Sequence, residues 1–130
     1  MYQRIQQYAI VLMTLGAISY NSNALGADDL AAAKAMAVNH CGSCHTFGKG
    51  EPPGQGPNLF GIIGRKAGTA VAFNYSERFK KAMEGQTWDE KLLDRWLTDT
   101  QVVAPGSGMV YSQDDASKRK KLIRFLSSLQ

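Results

Sequence analysis

A chain of 130 residues allows one small domain and leaves little room for a second. Its 15 Lys and Arg against 11 Asp and Glu give a net charge of +4, and Arg4 is the only charged residue before Asp28. The two cysteines lie within one short motif and so exclude a structural disulfide, which means that a core this small needs another source of stability.

Residues 1–26 have the features of a secretory signal peptide. Arg4 gives a basic start, an uncharged and mostly apolar run covers 8–20, and small residues suit cleavage after about residue 24 to 26. A retained membrane anchor is the alternative, but the apolar run has 13 residues whereas a membrane-spanning helix needs about 20. The mature domain is therefore predicted to comprise 27–130.

The first predicted helix and the segment that follows it differ in composition. Asp28 and Asp29 suit a helix start, and the Ala-rich stretch 30–39 favours the helix that follows. From 46 to 74 the chain is rich in Gly and Pro and has neither helical nor strand periodicity. A loop of this length in a compact domain normally has a function of its own.

Three further helices are predicted, with no convincing strand and no internal repeat. Ser76 can cap a short helix that ends at Met83. Thr87 can cap the next helix, whose apolar face consists of Leu92, Leu93, Trp96 and Leu97. After a second loop over 100–112, the last helix covers 114–129 with acidic residues in its first turn. Its apolar face consists of Leu122, Ile123, Phe125, Leu126 and Leu129.

The chemistry is concentrated in Cys41-Gly42-Ser43-Cys44-His45. Two thiols three positions apart, followed at once by an imidazole, have the spacing for covalent attachment of a c-type haem, with His45 directed at the iron. A loop wrapped around one side of a haem would also explain the long segment 46–74. Two alternatives use similar residues. A zinc site needs about four protein ligands, so His40 would have to be the last one, and a redox dithiol normally accompanies a βαβ pattern, which the sequence lacks.

A second axial ligand is expected from the later loop. Met109 follows Pro105-Gly106-Ser107-Gly108, 64 residues after His45, where a turn can present its sulfur to the open face of the haem. The other four methionines lie in the predicted signal peptide or on predicted helices, where core packing explains them. An iron held by His and Met has a raised reduction potential.

These motifs together resemble the class I c-type cytochromes of the mitochondrial and alphaproteobacterial kind. The resemblance covers about 33–129 and adds Gly56-Pro57-Asn58-Leu59, Gly61, Gly64-Arg65-Lys66-Ala67-Gly68, Tyr75-Ser76, Trp88, and Arg119 with Leu122-Ile123-Arg124-Phe125-Leu126. It implies an all-α cytochrome c fold of small helices and long loops around one haem. Cys41 and Cys44 would hold the porphyrin covalently, with His45 and Met109 on the iron.

The resemblance also implies roles around the haem. Pro57 would offer its carbonyl to the Nδ1 proton of His45, which fixes the tautomer. Trp96 stands where the family commonly has a Tyr near the Met sulfur, and its indole N–H would replace that donor. Burying haem propionates without donors is costly, and the four expected donors are Arg65, Tyr75, Trp88 and Ser107. Tight turns beside the ring would be made by Gly61, Gly64 and Gly68.

One departure from the family pattern concerns the crossing of the first and last helices. Family members usually carry Gly and an aromatic residue there, and this chain has Ala33 and Ala37. Phe125 is therefore expected to pack on Met36 or Val38.

The charge pattern bears on partners. Mitochondrial relatives surround the haem edge with lysines, which attract acidic partners in a salt-dependent way. The matching positions here are His40, Gly54, Gln101 and Gly108, and the positive charge collects at Lys118, Arg119, Lys120, Lys121 and Arg124. Docking at the haem edge is therefore expected to be largely apolar and weakly salt-dependent. The basic run is either a solvated helix face or a docking face, and without interleaved aromatics it does not indicate nucleic acid.

The resemblance implies a soluble, monomeric one-electron carrier of the periplasm that cycles Fe(III)/Fe(II) and is not an enzyme. Its expected partners are a cytochrome bc1-type complex, a terminal oxidase or a periplasmic dehydrogenase, without membrane insertion of the mature chain. Two alternatives stay open. In one, Met109 is labile and the haem is catalytic or sensory, binding peroxide or a small gas. In the other, an uncleaved segment 1–26 anchors the domain beside a membrane dehydrogenase or oxidase.

Overall fold

The computed structural model describes residues 22–130, with side chains from residue 26 onward. Its helices are α1 (Ser22–Cys41), α2 (Glu77–Ala82), α3 (Glu90–Thr98), α4 (Thr100–Val103) and α5 (Ala116–Ser127). Along 22–130 there are two isolated β-bridges and no strand, in agreement with the predicted all-α class. Most of the predicted signal peptide lies outside the described residues, so its cleavage stays a prediction.

Over the same stretch, 22–130, no helix has both the length and the apolar character needed to cross a membrane.

The first helix is longer at both ends than predicted. Its start was expected at Asp28 and Asp29 and its end at Asn39, whereas α1 runs from Ser22 to Cys41. The Ala-rich sequence has high helix propensity, so the helix continues through the two aspartates, which do not cap it. The extension at the other end carries the helix to Cys41.

Capping explains where the next two helices begin. Ser76 caps α2 as predicted. The prediction that Thr87 caps the following helix is wrong, because Asp89 is the N-cap and its carboxylate accepts the N–H of Leu92 at 2.6 Å. Thr87 instead pairs with Lys66 in one of the β-bridges. The buried face of α3 is the predicted one: Leu92, Leu93, Trp96 and Leu97.

The second loop and the last helix also differ from their predicted bounds. The four-residue helix α4 occupies the start of the predicted loop 100–112. The last helix begins at Ala116, because Asp115 is its N-cap. The Asp115 carboxylate accepts the N–H groups of Ser117 and Lys118. The expected acidic first turn is therefore absent from α5.

The core lies where α5 packs against α1 and α3. Ala33 and Ala37 are fully buried, because small side chains allow close helix packing. The aromatic partner of Phe125 is Phe47 in the first loop, with ring centroids 5.4 Å apart in an edge-to-face arrangement. Of the two predicted partners, Val38 is 47 % exposed, whereas Met36 is partly buried against the core that includes Phe125.

Two arginines of the basic run tie α5 to its neighbours. The side chain of Arg119 is only 12 % exposed, and its Nε lies 2.8 Å from a carboxylate oxygen of Asp94 on α3. Arg124 pairs with Asp29 on α1. The run is therefore partly structural, whereas Lys118 and Lys120 are exposed to solvent.

Residues 46–74 form a loop without a helix, as predicted. The three glycines expected in tight turns all have positive φ angles, of 64°, 81° and 78°: Gly61, Gly64 and Gly68. Side chains rarely adopt this conformation, so these positions favour glycine.

Candidate haem site

The end of α1 and the turn that follows it position the two thiols and the imidazole. The N–H of Gly42 donates to the carbonyl of Val38 at 3.0 Å, and the N–H groups of Cys44 and His45 donate to the carbonyl of Cys41 at 3.0 and 2.9 Å. These bonds continue the helical path for about one turn. A Cβ at position 42 would lie 2.6 Å from the Val38 carbonyl oxygen, so the turn requires glycine there.

The state of the thiols argues against a redox dithiol. Both cysteines are free and half-buried. Burial, together with the nearby Cys44 sulfur, raises the pKa of Cys41 from 9.0 to about 11. A redox dithiol works through a thiolate whose pKa is lowered, whereas Cys41 stays protonated at neutral pH.

A zinc site through His40 has no support either. In the part of the chain that the structure describes, no three His, Cys, Asp or Glu side chains come together to hold a metal ion. The Nδ1 atom of His40 lies instead 3.2 Å from the Tyr111 hydroxyl oxygen. This contact joins the end of α1 to the loop that carries Met109.

The imidazole of His45 is held in one orientation and one tautomer. Its Nδ1 lies 2.8 Å from the carbonyl oxygen of Pro57. A carbonyl can only accept, so Nδ1 carries the proton and Nε2 keeps its lone pair. Burial lowers the pKa of His45 below 6.5, against a smaller opposite effect of the Pro57 bond, so the ring is neutral at pH 7. Gly56 packs on its face, and a Cβ there would lie 2.7 and 2.8 Å from the two ring nitrogens.

Asn58 organises the loop around His45, a role that the sequence analysis missed. Its Nδ2 donates to the carbonyls of Gly48 and Glu51, both at 2.8 Å, and its Oδ1 accepts the N–H of Phe60 at 2.7 Å. The Asn58 carbonyl in turn accepts from Arg65 at 2.9 Å. Asn side chains often form hydrogen bonds with nearby backbone groups in turns. An Asn within a loop rich in Gly and Pro was therefore the sequence feature that could have indicated this role.

Three of the four predicted propionate donors lie in one neighbourhood. The backbone N–H of Trp88 donates to the Arg65 carbonyl at 2.9 Å. Burial raises the pKa of Tyr75, against smaller opposite effects of a hydrogen bond with the Ala70 backbone and of the charge of Arg65. Trp88 packs edge-to-face on Trp96 and Trp96 on Phe79, each with centroids 5.7 Å apart, and Tyr75 stacks on Phe79 at 4.9 Å.

The fourth predicted donor lies in the Met109 loop. Ser107 is buried, and its hydroxyl oxygen lies 3.4 Å from both the Gln101 amide nitrogen and the Met109 carbonyl oxygen. Met109 itself is partly buried and packs against the core. Thr100 and Gln101 both donate to its carbonyl, at 2.8 and 2.7 Å. Neither residue's contact with Met109 was foreseen from the sequence.

The residues present fit a covalently bound haem. The two cysteine sulfurs lie about one helical turn apart, and the adjacent imidazole has a free Nε2. Gly56 leaves no space on one face of that ring. Met109 adds a soft, neutral sulfur, the ligand that accompanies histidine in cytochromes c.

Comparison with known proteins gives a consistent result. No family model matches the chain. The cytochrome c2 of Rhodomicrobium vannielii is 33 % identical over 119 residues, which cover 91 % of this chain and 93 % of the relative. The cytochrome c-550 of Novispirillum itersonii is 40 % identical over 93 residues, or 71 % of this chain and 79 % of the relative. The structure of cytochrome c2 from Rhodospirillum centenum has a TM-score of 0.72 and 30 % identity, and covers 78 % of this chain and 98 % of its own.

The fold and its structural neighbour define a small all-α protein of the kind that carries one haem. The chain belongs to the class I c-type cytochromes, with the cytochromes c2 among its relatives. Its cofactor is one covalently attached haem c. The predictions of family, fold and cofactor are thus confirmed.

Proposed function

We propose that this protein carries single electrons between redox partners and catalyses no reaction of its own. The observation that carries the proposal is the fixed imidazole of His45, with Nδ1 bonded to Pro57 and Nε2 free. Met109, held by two hydrogen bonds to its carbonyl, supplies the second ligand. With His45 and Met109 both bound to the iron, no ligand position would be left for a substrate. When bound, the haem supplies one-electron exchange between Fe(III) and Fe(II).

The chain's own residues keep the two ligands in place while the electron moves. The Pro57 carbonyl holds the Nδ1 proton, which fixes the ring orientation and raises the basicity of Nε2. The sulfur of Met109 is neutral, so it favours the reduced iron and raises the reduction potential. Cys41 and Cys44 would hold the porphyrin through thioether bonds.

The haem propionates would be met by Arg65, Tyr75, Trp88 and Ser107. Arg65 already donates to the carbonyls of Phe60 and Asn58, at 3.2 and 2.9 Å, and a guanidinium has five N–H donors, so others stay free for a carboxylate. Trp96 would donate to the Met109 sulfur. Its buried indole packs between Trp88 and Phe79, which restricts its orientation.

We place the mature protein, 27–130, in the periplasm after removal of residues 1–26. The basic start and short apolar run of that segment support export. The mature carrier would act as a soluble monomer in an electron-transport chain. Its partners would be a cytochrome bc1-type complex, a terminal oxidase or a periplasmic dehydrogenase.

The surface around Met109 supports apolar docking. Residues 100–113 contain no Asp, Glu, Lys, Arg or His. Val102 and Val110, which lie before and after the turn at 105–108, are 77 % and 82 % exposed. One charged side chain, the exposed Arg78, lies beside Gly106 of this loop. Since the loop itself carries no charge that attracts or repels ions over distance, we expect association to be weakly salt-dependent. The association rate with an isolated partner complex should change less than about tenfold between low and high ionic strength, and a fall of several decades would contradict apolar docking.

Spectroscopy of the purified ferric protein tests the ligand assignment. A weak charge-transfer band near the red edge of the visible spectrum reports the iron–sulfur bond and should be present at neutral pH. A redox titration should show one reversible electron. Met109→Ala should remove the band while the protein stays coloured, because the porphyrin is still held by Cys41 and Cys44. A wild-type protein without the band would contradict ligation by Met109 and favour a haem with an open position.

A further inference from the structure

Thr100 holds the Met109 loop from inside the core. Its side chain is completely buried at the start of α4. The hydroxyl donates to the Met109 carbonyl at 2.8 Å and accepts the N–H of Tyr111 at 3.0 Å. The Thr100 N–H also donates to the Tyr111 carbonyl at 3.1 Å. One residue therefore binds the chain at Met109 and at Tyr111.

Gln101 holds the same loop from its other end. The Nε2 amide donates to the Met109 carbonyl at 2.7 Å and to the Ser107 carbonyl at 3.3 Å. The Oε1 oxygen accepts the N–H of Gly106 at 2.9 Å. Both the nitrogen and the oxygen of this amide therefore form hydrogen bonds, and their partners lie in the turn from Gly106 to Met109.

The two side chains converge on one atom. A carbonyl oxygen has two lone pairs, and that of Met109 accepts from both Thr100 and Gln101. The carboxylate of Asp99 fixes the helix that carries the two donors, because it accepts the N–H of Gln101 at 2.8 Å. The Met109 backbone cannot leave without breaking both bonds.

We propose that Thr100 and Gln101 are positioning residues that keep the Met109 sulfur on the iron and set the fraction of molecules in which it has left. The inference rests on the proposed ligation by His45 and Met109. In this proposal, two neutral side chains determine how often Met109 leaves the iron. Loss of either side chain's bond to the Met109 carbonyl should raise the fraction of open molecules by about fivefold.

Imidazole is a suitable probe, because it binds the ferric iron only where the sulfur has left. The apparent affinity of such a ligand is proportional to the fraction of competent molecules. It is measured as the loss of the iron–sulfur band during titration with imidazole. Thr100→Val keeps the shape and removes the hydroxyl, so we expect the apparent affinity to rise by about five- to tenfold. Gln101→Ala, at a half-buried position, should raise it about as much.

Two control variants separate positioning from general destabilisation. Thr100→Ser loses a buried methyl group but keeps the hydroxyl, so it should restore an affinity near that of the wild type despite reduced stability. Thr98→Val removes the hydroxyl that donates to the Asp94 carbonyl at 2.7 Å within α3, and it should leave imidazole binding unchanged.

The possible results are distinguishable. If the wild type lacks the iron–sulfur band, the proposed ligation itself fails. If the band is present but Thr100→Val and Gln101→Ala bind imidazole as the wild type does, only the positioning role fails. Equal effects of Thr100→Val and Thr100→Ser would also overturn it, because they would show that packing, not the hydroxyl, holds the loop.

Discussion

The two proposed iron ligands are held by different means. On the His45 side, the ring is fixed by the backbone carbonyl of Pro57 and by the close approach of Gly56. On the Met109 side, two neutral side chains, Thr100 and Gln101, hold the backbone carbonyl of the ligand residue. One side is therefore determined by backbone and steric contacts, and the other by side-chain hydrogen bonds.

This difference indicates which ligand leaves first. A ring held by the backbone at Pro57 and at Gly56 can move only if its loop moves as well. Each side-chain hydrogen bond, in contrast, contributes about 1 kcal/mol on balance. We therefore expect openings that release Met109 to be frequent compared with any that release His45. The same substitution made on each side tests this comparison.

The largest effect is expected from Gly56→Ala. The new Cβ would overlap the His45 ring, so the ring must shift and its bond to Pro57 is lost. Overpacking of this kind costs about 1–3 kcal/mol or more, and we expect a value near 3 kcal/mol in urea unfolding, with poor yield of coloured protein. The matched control is Gly108→Ala on the Met109 side, where a Cβ would meet no atom within 4 Å.

Gly108→Ala should change the free energy of unfolding by less than about 0.5 kcal/mol. If both alanine variants were equally stable, the steric account of the His45 side would be refuted. If Gly108→Ala lowered the free energy of unfolding more than Gly56→Ala, the Met109 side would be the one held by close steric contacts.

A smaller effect is expected from Asn58→Ala, which removes three hydrogen bonds that shape the His45 loop. We expect a loss of about 2 kcal/mol in the free energy of unfolding. The iron–sulfur band should survive, because Met109 lies on the other side. Asn74→Ala, at an exposed position of the same loop, serves as control. A cost below about 0.5 kcal/mol for Asn58→Ala would show that the loop does not depend on this side chain.

Local patterns account for what was predicted of the fold. Apolar spacing identified the buried faces of α3 and α5, and Ser76 marked the start of α2. The start of α1 was missed because an Ala-rich stretch carries no boundary of its own. The contact between Phe47 and Phe125 was missed for another reason. It joins a loop to a helix far away in the sequence, and no periodicity encodes such a pair.

In the site, too, local motifs could be predicted from the sequence and contacts between separate elements could not. The pair of thiols and the adjacent His45 form a contiguous motif, so spacing alone identified them. Thr100 and Gln101 are eight or more residues from Met109, and their contact with it depends on α4, a helix too short for any periodic signal. A polar pair directly after a capping aspartate, next to an uncharged loop, was the only indication. Hydrogen bonds that depend on tertiary structure are the part that sequence patterns do not specify.

The smallest effect expected is a difference in acid sensitivity between the two sides. Burial lowers the pKa of His45 in the folded chain, and the proposed bond of its Nε2 to iron opposes protonation further, so the unfolded chain binds the proton more readily. The contribution of the neutral ring to stability is therefore complete above pH 6.5 and is lost as the pH falls through the folded-state pKa. The free energy of unfolding should fall between pH 7 and pH 5, by at most about 1.4 kcal/mol per pH unit for one proton.

The hydrogen bonds of Gln101 on the Met109 side should not share this dependence, because they join neutral groups within 100–113, a segment that contains no Asp, Glu, Lys, Arg or His. The free-energy difference between the wild type and Gln101→Ala should then be equal at pH 7 and pH 5. Urea unfolding at both pH values measures it. A difference that shrinks or grows with pH would mean that a titrating group acts on the Met109 loop, and that the two sides are coupled through charge.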